Sequence, residues 1–256
     1  MIEITTTDNV GLITLARPEA RNALTGAMMR DLANAVRAFD DNEAIGAIVL
    51  TGKDPAFCAG LDLRDLATTY QDIQLASETT TAQRGLLPAA YKPIIAAVNG
   101  PAVTGGLELA LGCDWMIASR EHATFADTHA RVGVMPGGGM TIRLPQLIGI
   151  NRARQMSFTG NFIGAATAYE WGLVNEICDH EALLPRAFAL AGAINESRTH
   201  VVRELRTMYE TLALRSDDDV YKEEARWSRK WMHDNFDGAS FNNQRENIIA
   251  RGSSQQ

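Results

Sequence analysis

Ile95-Ala96-Ala97-Val98-Asn99-Gly100-Pro101-Ala102-Val103-Thr104-Gly105-Gly106-Leu107-Glu108-Leu109-Ala110 is the stretch on which the fold turns. Residues 94–98 are an apolar run of strand length, introduced by Pro93. Asn99-Gly100-Pro101 is a strong turn signal. Gly105-Gly106 then opens a helix over 107–111. In α/β sheets, ligands gather at such strand-to-helix loops. Glycine there lets a backbone N–H face a ligand with no side chain in the way. Two such N–H groups converging on one oxygen make an oxyanion hole, and the dipole of the following helix adds to it. Glu108 lies in the first turn of that helix. One reading is a carboxylate satisfying the helix dipole. The other is a functional group, because Leu107, Leu109, Ala110 and Leu111 are all apolar and a buried carboxylate needs a partner or a role. On the residues alone both readings stand.

Outward from this segment the chain repeats the same alternation. Residues 2–6 and 10–15 read as strands joined by Asp8-Asn9. Arg17-Pro18 ends the second. Thr25 caps a helix whose apolar positions Met28, Met29, Leu32, Val36 and Phe39 recur at helical spacing. Residues 45–50 are a strand and 53–60 a loop. A polar stretch over 70–90 reads as helix. Strands follow at 115–118, 123–126 and 173–177, with helices from Pro136 onward. Strands alternating with helices imply a layered α/β core with crossover connections. The expected division is a core over 1–195, a helical C-terminal region over 196–251 and a disordered tail over 252–256. Trp227 and Trp231, four apart on one helix face, suit either packing or an interface.

Composition sets bounds on function. The 256 residues are 46% hydrophobic and 21% charged, enough for one substantial core. The net charge of −7 argues against nucleic acid or an anionic membrane as partner. It leaves room for an anionic ligand held by a local arginine or a helix N-terminus. No signal peptide or membrane-length apolar run is evident, so a cytoplasmic location is expected. Cys58, Cys113 and Cys178 read as reduced, buried thiols, and no Cys/His spacing suggests a metal. Residues 46–54 fail as a phosphate loop, because Gly46 and Gly52 are one residue too far apart and Asp54 replaces the magnesium-binding hydroxyl. No serine occupies a nucleophile elbow. The run Gly137-Gly138-Gly139 reads as a tight turn. A second strand-to-helix loop, Ala56-Phe57-Cys58-Ala59-Gly60-Leu61-Asp62-Leu63, matches the first in character.

Taken in order, these motifs resemble the enoyl-CoA hydratase/isomerase (crotonase) family. Residues 95–100, then Gly105-Gly106-Leu107-Glu108-Leu109-Ala110 and Cys113-Asp114, look like its signature. Arg17-Pro18 with Arg21-Asn22-Ala23-Leu24 resembles its N-terminal motif, and residues 57–63 its first oxyanion loop. Phe125, Gly133, Pro136-Gly137 and Arg143-Leu144 resemble its second catalytic loop. Ala168, Gly172-Leu173-Val174 and Ile177 follow in family order. The resemblance covers residues 1–200 closely, with Asn235-Phe236 and Phe241 fitting more loosely.

The resemblance implies an α/β fold, a spiral of ββα units, with a helical C-terminal region that builds trimers, often paired into hexamers. It implies stabilisation of a thioester enolate, on an acyl-CoA substrate, within fatty-acid metabolism. The oxyanion hole would be the N–H groups of Leu61 and Gly105, and Glu108 the first catalytic carboxylate. Ala59, Gly60, Asp62 and Gly106 would meet the CoA thioester. Arg64 would meet a CoA phosphate or else stand solvated. No cofactor is expected beyond the CoA carried by the substrate. The chain departs from the family at the second catalytic glutamate, where His129 stands. Histidine can act as acid or base near neutral pH, or hold Glu108 ionised, or be inert. Asp127, two residues earlier on an expected strand, should lie one notch away on the same face. The expected activity is addition of water to an enoyl-CoA. The alternatives are enoyl-CoA isomerisation, thioester hydrolysis, dehalogenation, or acyl-CoA binding without catalysis.

Overall fold

A computed structural model describes residues 1–62 and 83–212, together with Lys230 and Asp234. The chain divides into two compact units, Met1–Arg206 and Thr207–Gln256. Arg64, Trp227, Trp231, Phe236, Phe241 and the tail over 252–256 lie outside the described residues.

Strands β1 (Ile2–Thr7) and β2 (Val10–Leu15) pair antiparallel through Asp8 and Asn9, whose φ values are 49° and 64°. This is the two-residue hairpin geometry that Asp and Asn tolerate. Helix α1 (Gly26–Asp41) starts where the Thr25 hydroxyl accepts the Met28 N–H. Its buried face is Met28, Leu32, Ala35, Val36 and Phe39. Each large side chain on that face contributes about 1.5–3 kcal/mol by leaving water. Strand β3 is Ala47–Gly52, two residues later than the apolar pattern suggests. Its register explains the shift: it pairs with β2 from Val10↔Ala47 to Leu15↔Gly52.

Strands β4 (Gln83–Arg84) and β5 (Leu87–Pro88) form a hairpin. They replace the described part of the helix that the polar stretch over 70–90 suggests. Gly85, at φ +71°, breaks the described part of it with a left-handed turn, and residues 70–82 lie outside the described set. Then come β6 (Ile94–Val98), β7 (Ala102–Val103), helix α2 (Gly105–Leu111), β8 (Trp115–Ser119) and β9 (Thr124–Ala126). Helices α3 (His129–Val132), α4 (Met140–Ile148) and α5 (Ile150–Thr159) follow. Strand β10 (Ile163–Gly164), helix α6 (Ala165–Glu170), strand β11 (Glu176–Cys178) and helices α7 (Leu183–Asn195) and α8 (Thr199–Leu212) complete the described elements. β11 starts later than the expected strand over 173–177. Gly172, at φ +82°, ends α6, and the Leu173 N–H turns to the Ala168 carbonyl instead of a neighbouring strand.

The main sheet has the order β1-β2-β3-β6-β8-β11, parallel except for the β1–β2 pair. A smaller sheet, β10-β9-β7, lies apart from it. The central strands are mostly apolar because helices cover both faces, with Thr51 and Ser119 as buried polar residues toward their ends. Val49, Ile95 and Ala97 pack with Leu183, Ala187 and Ala191 of α7. Their neighbours Ile48, Leu50, Ile94, Ala96 and Val98 face the larger core, which includes α1 and α2. Among the described residues, no helix is long and apolar enough to cross a membrane.

One buried cation ties α1 to this sheet. Lys92 is fully buried, and its Nζ donates to the Phe39 and Asn42 carbonyls at 2.6 Å each. These carbonyls lie at the C-terminal end of α1, where Phe39 also accepts the Asn42 N–H at 3.3 Å and Asn42 the Ile45 N–H at 2.9 Å, so Lys92 adds a second, charged donor to each. Asp40 at the same helix end accepts the Lys92 N–H at 2.9 Å. Replacing Lys92 with Met keeps the apolar stem and removes the charged donor from both carbonyls, leaving each only its backbone N–H. The expected loss is about 1–3 kcal/mol. Urea denaturation should show a lower midpoint at unchanged slope; an unchanged midpoint would show that Lys92 does not hold the helix end.

Candidate active site

The site is built first from backbone. Asn22 is buried and its Nδ2 donates to the Lys53 and Ala56 carbonyls at 2.8 and 2.7 Å, while its Oδ1 accepts the Arg17 N–H. The segment it anchors then grips the 59–62 loop: Ala59 N–H donates to Arg21, Leu24 N–H to the Gly60 carbonyl, and Asp62 N–H to the Leu24 carbonyl. In such a bridge, the residue between the two bonded groups turns its own N–H to the opposite side. That residue is Leu61. On the opposite side is Gly105, where a β-carbon would lie 3.2 Å from the Leu61 nitrogen. Neither the Leu61 nor the Gly105 N–H donates to another described residue.

Gly105 is oriented by strain immediately before it. Thr104 has φ 54° and ψ −111°, an outlier for a β-branched residue. Three hydrogen bonds hold it there. Its N–H donates to the Ala126 carbonyl at 2.8 Å, its hydroxyl meets Thr128 Oγ1 at 2.5 Å, and the same hydroxyl accepts the Thr128 N–H.

Glu108 follows three residues after Gly105, on the same face of the seven-residue helix α2. It is 3% exposed. Its Oε1 accepts the Gly138 N–H at 2.8 Å and the Met140 N–H at 3.3 Å. Its Oε2 faces His129 Nε2 at 3.8 Å. Burial pushes the Glu108 carboxyl above the usual range, against the downward pull of the Gly138 N–H, His129 and the Met140 N–H. The glycine run, read as a tight turn, is thus also the cradle of this carboxylate. A β-carbon at Gly138 would lie 2.7 Å from Glu108 Oε2. Gly85 supports the loop from behind, its α-carbon close against the Gly138 carbonyl.

His129 opens helix α3 and does not continue strand β9, which ends at Ala126. The chain bends at Thr128 (φ −101°, ψ 12°), and this overturns the expected place of Asp127. Asp127 does not lie a notch away: its Oδ1 is 2.6 Å from His129 Nδ1 and accepts the His129 N–H at 3.2 Å. Arg131 fixes the far end of α3, donating to the Thr159 carbonyl at 2.7 Å.

The remaining expected site residues divide. Ala59 and Gly60 lie on the gripped loop beside Gly105. Asp62 gives its carboxylate to Arg17, 2.6 Å away, which braces the loop from the N-terminal motif. Gly106 is buried, with room for no side chain: a β-carbon there would lie 2.0 Å from the Cys58 carbonyl. It lets the helix approach the loop. Cys58 is buried in that contact, and burial pushes its thiol up to about 12, so it offers no thiolate at neutral pH. Among the described residues, no group of His, Cys, Asp and Glu is placed to hold a metal ion.

Residues 5–241 match the family model for enoyl-CoA hydratase/isomerase. The chain is 42% identical over 188 residues to the mitochondrial enoyl-CoA hydratase of Pongo abelii, covering 73% of this chain and 64% of that protein. The crystal structure of an enoyl-CoA hydratase from Mycobacterium tuberculosis H37Rv is 41% identical, with TM-score 0.75 over 89% of this chain and 97% of that one. An enoyl-CoA hydratase structure from Bacillus anthracis is 28% identical, with TM-score 0.86 over 96% of each chain. A shared order of motifs, a shared fold and this extent of identity lead to one conclusion: the chain belongs to the enoyl-CoA hydratase/isomerase family and has its crotonase fold.

Proposed function

We propose that this protein adds water across the double bond of an α,β-unsaturated enoyl-CoA thioester. The observation that carries the reading is the position of the Leu61 and Gly105 N–H groups beside the buried Glu108–His129 pair. The thioester carbonyl oxygen accepts from both N–H groups. This draws negative charge onto that oxygen when water attacks the β-carbon, and the enolate so formed is stabilised where it develops. Hydration also needs one group to take a proton from water and another to give one to the α-carbon. Glu108 and His129, 3.8 Å apart, supply the pair. Coenzyme A enters as part of the substrate, with Ala59 and Gly60 along its path and Arg64 at a phosphate. Double-bond migration needs a single acid/base group that carries a proton between carbons, so a paired site favours hydration over it. The same contrast separates catalysis from simple acyl-CoA binding.

Mixing the protein with crotonyl-CoA tests this directly. Hydration removes the ultraviolet absorption of the enoyl thioester, whereas a binding protein leaves it intact. Glu108→Gln keeps the shape and both backbone hydrogen bonds but cannot ionise. Its turnover should fall by about 100-fold or more while thioester binding survives. Near-normal turnover in this variant would remove Glu108 from the chemistry.

Gly138→Ala should reach the same carboxylate from outside the acid/base pair. The added methyl, 2.7 Å from Oε2, must displace Glu108 or its loop. Turnover on crotonyl-CoA should drop by about 10-fold or more, since misplacement of a reacting group by an ångström costs on that scale. A fully active variant would show that the Gly138 cradle does not set the Glu108 position.

We further propose assembly as a trimer or a multiple of one, as the family resemblance implies. Support comes from large apolar side chains left exposed in the first unit: Met135 is 88% exposed and Phe158 76%. Phe162 and Ile142 are likewise exposed. Multi-angle light scattering should give three chain masses or a multiple; a monomer at micromolar concentration would contradict the assembly.

A further inference from the structure

The hydratase reading leaves open which of Glu108 and His129 takes the proton from water. The structure carries an answer through a residue that reading does not use. Asp127 is 1% exposed, and its Oδ1 meets His129 Nδ1 at 2.6 Å. Burial alone would raise its carboxyl, but hydrogen bonds from His129 and Ser157 hold it below the usual carboxylate range. An ionised carboxylate only accepts hydrogen bonds, so at this contact Nδ1 must be the donor. Neutral imidazole has one N–H, and with it placed on Nδ1 the other nitrogen is bare. That bare nitrogen, Nε2, is the one directed at Glu108. Glu108 in turn has Oε1 committed to two backbone N–H groups, which leaves Oε2 to carry a proton.

We propose that Asp127 is a positioning residue that fixes His129 as the base and thereby leaves Glu108 as the acid. The proposal rests on the hydratase reading of this site. Water then loses a proton to His129 Nε2 as its oxygen bonds to the β-carbon. The π pair of the double bond moves to give the enolate, with its oxygen at the Leu61 and Gly105 N–H groups. Glu108 Oε2 gives its proton to the α-carbon, and the enolate reverts to the thioester. A proton passing from Nε2 to Oε2 restores the pair. One proton is held by the two groups at the start and at the end, so the cycle balances. His129→Ala removes the base and should lower turnover by about 100-fold or more.

The tautomer can be read with no substrate present. In protein labelled with ¹⁵N-histidine, two-bond proton–nitrogen correlations distinguish Nδ1–H from Nε2–H, and His129→Gln identifies the His129 signals. The expected result at a pH where His129 is neutral is Nδ1–H with a bare Nε2. In Asp127→Asn, the side-chain amide can donate to Nδ1, so the population with Nε2–H should rise. Turnover on crotonyl-CoA should fall by about 100-fold, chiefly in kcat, as expected when a base is held in the wrong tautomer. An Nε2–H tautomer in the unaltered protein would overturn the proposal, even if the variant fails to fold. So would an Asp127→Asn protein with native turnover. A protein that leaves crotonyl-CoA unchanged but shows the bare Nε2 would overturn the hydratase reading while upholding Asp127 as what fixes the tautomer.

Discussion

The α-carbon of Gly106 and the carbonyl of Cys58 come so close that a β-carbon at position 106 would lie 2.0 Å from that oxygen. The rest of the site depends on this approach. It brings the start of α2 against the 56–62 loop, so that Gly105 and Leu61 can aim their N–H groups at one region. Neighbouring contacts repeat the constraint: a β-carbon at Gly100 would meet the Pro55 carbonyl at 2.5 Å. Backbone bonds reinforce it, since Cys58 N–H donates to Pro101 and Val103 N–H to Cys58. Any side chain at these glycines would push the 56–62 segment away from residues 100–106. Glycine is therefore required here for space, in addition to any demand on φ.

Around that contact, two layers of polar anchoring fix the groups of the site. Arg17, Asn22 and Leu24 hold the first loop by backbone and side-chain hydrogen bonds, and the Asp62 carboxylate completes the brace. Thr104, held in a strained conformation by Ala126 and Thr128, sets the direction of the Gly105 N–H. The Gly138 loop then anchors one oxygen of Glu108 and leaves the other toward His129. Glu108, His129 and Thr104 thus each have a partner that orients them.

Much of this was legible in the sequence where local chemistry decides the outcome. The Asp8-Asn9 hairpin, the Thr25 cap, the helical spacing of α1 and the strand-turn-helix at 94–111 all follow from propensity and periodicity. Glu108 stood out because a carboxylate sat among apolar neighbours. What the sequence did not show depends on contacts between distant segments. The Gly138 cradle joins positions 30 residues apart, and a glycine run reads equally well as a turn. Asp127 departs from its expected place because the chain bends into a helix at Thr128 instead of continuing the strand. Lys92 gave no signal as a buried helix-end cap, because lysine is ordinarily a surface residue. The hairpin at 83–88 departs from the helix that its polar surroundings suggest because a single glycine, Gly85, turns the chain.

The central claim is that the Leu61 and Gly105 N–H groups converge on the carbonyl oxygen of a bound thioester. Infrared difference spectroscopy of a carbonyl-¹³C-labelled acyl-CoA bound to the protein reads that interaction directly, without turnover. Two hydrogen bonds to the oxygen weaken the C=O bond. The account predicts a carbonyl stretch at clearly lower frequency in the complex than for the same thioester in water. A bound carbonyl with an unshifted or raised frequency would contradict it.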